Sequence, residues 1–370
     1  MKLFSSFDFG DLRLSNRVVM APLTRARAGD ADVPTDSMSR YYAQRASAGL
    51  IISEAINITM RSLSFQSSPG LYTAEQTEGW RKVVSRVHEA GGKIVAQLWH
   101  TGRASSFALL NGEAPVSPSG INDDLHMLHV WARLENGSYT RILATPSRAF
   151  TTQEVRETVL EYRRGAENAR AAGFDGVEIH AANGYLIHQF LSATTNQRTD
   201  EYGGSVQSRA RFLREIVEQI KDVYPLGRIG VRISPFADYN NVRDPNPVET
   251  YRYVSGMLQE LGVGYVHVAD TNGWFDRPDL PELLNIVRPA YKGTIIVNGG
   301  IDGEKAQRLV EEGQADLVAF GRAFISNPDL VRRLKEGLPL AMPITVPEDW
   351  WGGSDKGYID FPEYSAAQAA

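Results

Sequence analysis

The 370-residue chain is predicted to adopt an α/β fold, a single (β/α)8 TIM barrel formed by residues 1–370. Eight short apolar runs rich in β-formers recur along it, and amphipathic helical patterns separate most of them. Apolar strands that alternate with helices indicate a parallel sheet, and eight repeats favour closure into a barrel over an open sheet. Polar residues gather where several of these runs end, which is where barrel enzymes place their chemistry.

The predicted strands are, in chain order, RVVMAPL (17–23), LIISEA (50–55), KIVAQLWH (93–100), GVEIHAA (176–182), RIGVRISP (228–235), YVHVAD (265–270), TIIVNGG (294–300) and LVAFGRA (317–323). Between them, helical periodicity is clear over residues 78–91, 155–173, 208–224 and 303–313, and all but the third of these patterns end in a glycine typical of a helix C-terminus.

Two segments interrupt the repeat. Residues 102–150 follow the third strand with many turn signals, so we expect an excursion that caps the barrel mouth. The tail at 343–370 carries Trp350 and Trp351 and is too aromatic for a disordered end. We expect it to pack back across the barrel before its last residues fray.

Composition describes an ordinary globular enzyme. The chain is 42% hydrophobic and 22% charged, has a net charge of -5, and contains no cysteine. The mildly negative net charge gives no sign of a basic surface that would bind nucleic acid or an anionic membrane. No apolar stretch is long enough to span a bilayer. Without cysteine, redox work would need a bound organic cofactor, and we expect no metal. We expect a cytoplasmic protein, monomeric or weakly oligomeric.

The segment DGVEIHAANGYLIHQFLSATTNQRTDEY (175–202) holds the densest cluster of chemically useful residues. His180 ends the fourth strand, Asn183 follows three residues later, and Tyr185 stands after Gly184. If the chain turns helically there, His180 and Asn183 share a face and can donate two hydrogen bonds to one carbonyl oxygen, with a phenol close by. Such a trio suits protonation of a carbon next to a carbonyl. The three residues could instead be satisfied core groups.

Other strand ends suggest a bound flavin mononucleotide (FMN). Thr24 and Gln97 could match the edge of a planar heterocycle, and Arg232 offers a fixed positive charge, although each alone could be a strand-end cap or part of a surface ion pair. Strands seven and eight end in glycines that open helices, a geometry that gathers phosphate. One molecule, FMN, would satisfy both groups.

The chain resembles the Old Yellow Enzymes, flavin-dependent ene-reductases, through RVVMAPLTRARA, YYAQRASAGLIISEA, KIVAQLWHTGR, the 175–202 segment, VAFGRAFISNPDLVRRL and WWGGSDKGYIDFP. The resemblance implies an FMN site and NADPH or NADH as reductant, in a ping-pong cycle on enones, enals, maleimides or nitro compounds. It implies that His180 and Asn183 bind the substrate carbonyl and that Tyr185 protonates the α-carbon. FMN would be held by Pro22, Leu23, Thr24, Ala55, Gln97, Arg232, Gly299, Gly300, Gly321 and Arg322.

Several aromatic residues could line an apolar cavity and shape its substrate side, although aromatic residues are also the commonest core filling: Phe65, Trp99, His100, Trp350, Trp351 and Tyr358. The sequence departs from the family pattern in a short loop after strand six and in one extra residue in TPSRAF, and both changes touch the rim that controls access. Nitrate-ester or nitroaromatic reduction is the main alternative activity. A flavin-free lyase or aldolase would need a base or lysine at a strand's carboxyl end, whereas Lys93 opens the third strand at the wrong face. A nonenzymatic flavin carrier would not need Tyr185 beside paired donors.

Overall fold

A computed structural model describes residues 1–136, 138–342 and 350–365. Eight parallel strands close into a barrel in which each strand pairs with the next in chain order and the eighth pairs with the first. This arrangement confirms the predicted fold class. The barrel strands are β1 Val18–Met20, β2 Leu50–Asn57, β3 Ile94–Trp99, β4 Gly176–Ala181, β5 Ile229–Ile233, β6 Tyr265–Ala269, β7 Thr294–Asn298 and β8 Leu317–Phe320.

Helices surround the barrel and cover the outer face of its strands. Capping boxes at Thr73 and Thr151 start two of them, and Gly173 ends the second in a left-handed conformation. No described helix is both long and apolar enough to cross a membrane. The α-helices are α1 Asp36–Ala43, α2 Ala74–Glu89, α3 Thr152–Ala172, α4 Leu186–Leu191, α5 Val206–Ile220, α6 Pro247–Leu261, α7 Leu280–Ala290, α8 Gly303–Glu311, α9 Arg322–Ser326 and α10 Leu330–Glu336.

The barrel interior is apolar at the amino ends of the strands. An N-terminal hairpin, Phe7–Phe9 paired with Leu12–Leu14, closes this end, and the Phe9 ring lies 5.1 Å from the ring of Tyr265. Buried aliphatic side chains from β1, β2, β3, β7 and β8 pack against the same cluster. This apolar cluster closes the amino end of the barrel, which leaves the opposite, carboxyl end for a polar site.

Residues 102–150 contain a second antiparallel hairpin, His129–Arg133 with Tyr139–Leu143, and a short parallel pair, Val116–Ser117 with Arg148–Ala149. The hairpin lies at the barrel mouth, where the Trp131 ring packs at a tilt against Trp351 of the tail, with centroids 4.3 Å apart. Of the tail predicted at 343–370, residues 343–349 and 366–370 lie outside the described part of the chain.

The described tail is anchored to the loop that follows β1. Arg25 Nε donates to the carbonyl of Trp350 at 2.8 Å, and its Nη2 donates to the carbonyl of Gly357 at 2.8 Å. The buried ring of Tyr358 stacks on Tyr41 at 4.2 Å. These contacts hold Trp350 and Trp351 beside the barrel mouth.

Candidate active site

A cavity of about 580 Å³ opens at the carboxyl ends of the strands. Its size suits a small-molecule or cofactor site. Every residue predicted to be catalytic or to bind the cofactor lines this one cavity, as do most of the predicted substrate-side residues: Pro22, Leu23, Thr24, Ala55, Phe65, Gln97, Trp99, His180, Asn183, Tyr185, Arg232, Gly299, Gly300, Gly321, Arg322 and Trp351.

His180 is presented by strand register. It pairs with Arg232 on the adjacent β5, so the imidazole and the guanidinium sit side by side in the barrel wall. Burial, reinforced by the charge of Arg232, holds the pKa of His180 well below its usual value, so the ring is neutral at neutral pH. Its Nδ1 accepts the backbone N–H of Ala182 at 3.3 Å, which leaves the proton on Nε2. His180 therefore offers the cavity a hydrogen-bond donor.

Asn183 reaches the same space without the helical turn considered from the sequence. Its backbone is left-handed, with φ 57°, and its N–H donates to Ser234 Oγ at 2.8 Å. Asparagine tolerates this conformation better than most residues because its short side chain can bond locally. The side-chain Oδ1 is buried without a partner among the described residues, which leaves Nδ2 as the end of the amide that faces the cavity.

Gly184 allows a loop that is distant in sequence to pack closely against the site. It has φ 71°, and a β-carbon there would lie 2.2 Å from the carbonyl oxygen of Tyr239. Asn240 in the same loop donates its side-chain N–H to the carbonyl of Asn183 at 3.0 Å. The loop after β5 thus fixes the turn that follows β4, and a larger residue at 184 would push the two apart.

Tyr185 stands at the N-cap of α4 and is 7% exposed. Its ring makes edge contacts with His180, at 5.1 Å between centroids, and with Trp99, at 5.0 Å. Burial, with a contribution from Tyr239, raises the pKa of the Tyr185 phenol well above its usual range. The phenol therefore keeps its proton at neutral pH and is held beside the two donors.

The floor of the cavity contains the buried cation Arg232. It is 4% exposed, so the surface ion pair considered from the sequence is wrong. One Nη donates to Asn298 Oδ1 at 3.0 Å, whereas Nε is buried without a partner among the described residues. Burial lowers the pKa of Arg232 and the Glu178 carboxylate opposes that shift, but a guanidinium stays charged under such conditions. A buried positive charge with an unused donor fits an electron-rich heterocycle.

The far end of the cavity is built from backbone. The amides of Gly300, Gly321 and Arg322 have no acceptor among the described residues, and Arg322 begins α9. Gly300 has φ 56°, and a β-carbon there would lie 2.3 Å from the carbonyl oxygen of Gly273, so this position favours glycine. Free N–H groups beside an exposed arginine suit a phosphate. The donor set therefore fits FMN at both its ring and its phosphate ends.

Aromatic rings line the substrate side. Trp99, Phe65 and Trp351 follow one another with centroids 6.2 Å and 6.0 Å apart, and Trp350 also lines the cavity. Two residues assigned to this wall from the sequence are elsewhere. His100 is turned into the interior, where its Nδ1 accepts the N–H of Gly102 at 3.0 Å, and Tyr358 is buried against Tyr41.

Sequence reasoning missed several lining residues. Tyr239 lies in the loop after β5, Trp274 and Phe275 lie in the loop after β6, and Asn298 ends β7. The pair of adjacent aromatics in a short loop was the available signal for Trp274 and Phe275. Also missed was Glu178, whose carboxylate within a continuous apolar strand was a visible anomaly.

The barrel mouth combines backbone N–H groups that suit an anion with a buried arginine, a neutral imidazole and a protonated phenol. This combination defines a flavin-dependent oxidoreductase. Residues 2–341 match the model of the NADH:flavin oxidoreductase / NADH oxidase family. The chain belongs to this family, which confirms the predicted membership of the Old Yellow Enzymes and FMN as the cofactor.

Relatives match over nearly the whole chain. A protein from Leishmania infantum described as a probable flavin mononucleotide-dependent alkene reductase is 39% identical over 95% of this chain and 95% of its own length. The chanoclavine-I aldehyde reductase of Penicillium roqueforti is 38% identical over 97% of this chain and 96% of its own. Morphinone reductase, solved in complex with tetrahydroNAD, superposes with a TM-score of 0.93 at 39% identity, covering 99% of both chains.

Proposed function

We propose that this protein is an FMN-dependent NAD(P)H ene-reductase that reduces the activated C=C bond of α,β-unsaturated carbonyl compounds. The observation that carries the proposal is the convergence of His180, Asn183 and Tyr185 on one cavity above a buried arginine. Support also comes from relatives described as an alkene reductase and an aldehyde reductase.

His180 and Asn183 would bind the substrate carbonyl oxygen. The imidazole Nε2–H and the amide Nδ2–H are both uncharged donors, so they polarise the carbonyl without a proton transfer to it. Electron density is drawn away from the β-carbon, which then accepts hydride more readily. Because neither donor titrates near neutral pH, the anchor works unchanged across that range.

Tyr185 would supply the proton to the α-carbon. Its phenol is protonated at neutral pH and its ring is clamped between Trp99 and His180, so the O–H is positioned before the substrate arrives. A general acid within hydrogen-bond reach of the reacting carbon lowers the barrier to the second half of the addition.

The FMN held by this site would supply the hydride, after being reduced by NADPH or NADH. Thr24 and Gln97 would contact the edge of its ring, Arg232 would lie at the part of the ring that gains negative charge on reduction, and Arg322 with the neighbouring backbone amides would hold the phosphate. The aromatic wall formed by Phe65, Trp99 and Trp351 excludes water from the reacting face.

An anaerobic titration tests the proposed activity. The purified protein is expected to be yellow, NADPH is expected to bleach it, and 2-cyclohexenone is expected to restore the colour with formation of cyclohexanone. A protein that stays colourless after incubation with FMN contradicts the proposal. The same assay with a nitroaromatic or a nitrate ester in place of the enone tests the alternative activity, and faster reoxidation by those compounds would favour it.

A further inference from the structure

A second buried polar group lies in the barrel directly below the cavity. Glu178 precedes His180 by two residues on β4, is 0% exposed and does not line the cavity. Its Oε1 accepts the side-chain N–H of Gln97 at 2.7 Å, and its Oε2 is 3.0 Å from Nδ1 of His267, which is also fully buried. Substrate cannot reach this carboxylate, so it takes no direct part in the proposed reaction.

The charge states within this group follow from their neighbours. His267 and Arg232 hold the pKa of the Glu178 carboxyl below its usual value against the opposing effect of burial, whereas burial lowers the pKa of His267. The pair is therefore an ionised carboxylate and a neutral imidazole whose Nδ1–H donates. Register places Glu178 of β4 beside Gln97 on β3, and Arg232 of β5 beside His267 on β6. One network therefore links the four consecutive strands β3 to β6.

An ionised carboxylate fixes the orientation of the Gln97 amide. Glu178 can only accept, so it must face the NH2 end of Gln97, and the opposite end, Oε1, is left without a partner among the described residues. Gln97 lines the cavity, so the cofactor ring meets a hydrogen-bond acceptor at this point. A protonated or amide side chain at 178 would allow the Gln97 amide to flip and present either end.

The same carboxylate offsets the charge of Arg232. Both groups are buried in a medium of low polarity, where the attraction between them is strong and the loss of one leaves the other uncompensated. We propose that Glu178 and His267 are positioning residues for the FMN ring, which fix Gln97 as an acceptor and set how strongly Arg232 favours the reduced, anionic cofactor. This role rests on the proposed FMN site and goes beyond it, since neither residue touches the cavity.

The decisive measurement is the midpoint potential of the bound FMN. In the Glu178→Gln holoprotein, Arg232 acts without its counter-charge, so reduced FMN is expected to gain about tenfold in affinity over oxidised FMN, a rise of about 30 mV for a two-electron couple. His267→Leu removes the donor that keeps Glu178 ionised and should raise the potential in the same direction. His267→Gln keeps an N–H donor and should restore the wild-type value.

Asp175 provides a matched control at the other end of the barrel. Its carboxylate is also buried and also pairs with an imidazole, His88 Nε2 at 2.9 Å, but it precedes β4 at the amino end, away from the cavity. Asp175→Asn is therefore expected to lower stability without changing the potential.

An unchanged potential in FMN-loaded Glu178→Gln, or an equal rise in Asp175→Asn, would overturn the assigned role. Should Glu178→Gln not fold, the His267→Leu and His267→Gln pair decides alone, and equal potentials in these two variants would also overturn it. Failure of the wild-type protein to bind FMN would instead defeat the proposed function, so the two failures are separable.

Discussion

Replacing Tyr185 by phenylalanine isolates the proposed proton donor. The variant keeps the ring contacts with Trp99 and His180, at 5.0 Å and 5.1 Å between centroids, and loses only the hydroxyl. Packing should therefore survive, and the free energy of unfolding should change little. A positioned general acid contributes about 10²- to 10⁴-fold in rate, equivalent to roughly 3 to 5 kcal/mol of transition-state stabilisation.

Stopped-flow absorbance can separate the two half-reactions. Reduction by NADPH involves no carbon protonation by Tyr185, so its rate should change little, whereas reoxidation by 2-cyclohexenone should slow by the full factor. Reoxidation by a quinone, which takes no proton at carbon, should remain fast and serves as an internal control. Tyr224→Phe is a matched variant, because it loses a buried hydrogen bond of 3.1 Å to the carbonyl of Phe174, away from the cavity.

The proton-donor role is wrong if Tyr185→Phe slows both half-reactions equally, since that result would mean a general distortion of the site. It is also wrong if enone reoxidation stays within a few-fold of the wild-type rate, because another group would then be the acid.

Three further outcomes are expected. His180→Ala should weaken binding of an enone or a phenol about tenfold, which is the value of one neutral hydrogen bond. Unchanged affinity in a spectral titration would show that His180 does not bind the carbonyl oxygen. Arg322→Ala should raise the dissociation constant for FMN by about tenfold or more, through loss of a charge-assisted bond, whereas Arg332→Ala, on α10 and outside the cavity, should not. Stability should fall as the pH drops from about 6.5 to 4, because burial lowers the pKa of His188 to about 4 and the unfolded chain takes up the proton first. Protonation of this residue in the unfolded chain should cost roughly 3 kcal/mol of stability, to be checked by urea unfolding. His188→Gln should reduce the loss by about that amount, and the remaining loss belongs to the other buried histidines, His180 among them.

Much of the site could be predicted from strand ends. A parallel barrel brings the carboxyl ends of all its strands to one face, so polar residues at or just beyond the carboxyl ends of β1, β3, β4 and β5 must meet there whatever their separation in sequence. Thr24, Gln97, His180 and Arg232 obey this rule, and all line the cavity. The glycines after β7 and β8 were identifiable for the same reason.

Residues supplied by loops were harder to predict. Tyr239, Trp274 and Phe275 reach the cavity only because the loops after β5 and β6 fold inward, and their direction depends on packing between segments far apart in the chain. The left-handed backbone at Asn183 is similar, since it is stabilised by Ser234 and Asn240 from a different strand and loop.

By itself, the sequence determined the eight-stranded barrel, the end at which chemistry occurs, and the trio of His180, Asn183 and Tyr185, because periodicity and strand order are local properties. Only the tertiary structure decided which end of the Gln97 amide faces the cavity and which carboxylate offsets Arg232. Both depend on Glu178, whose partners stand 81 and 89 residues away along the chain and become neighbours only because the closed barrel brings β3, β4 and β6 together.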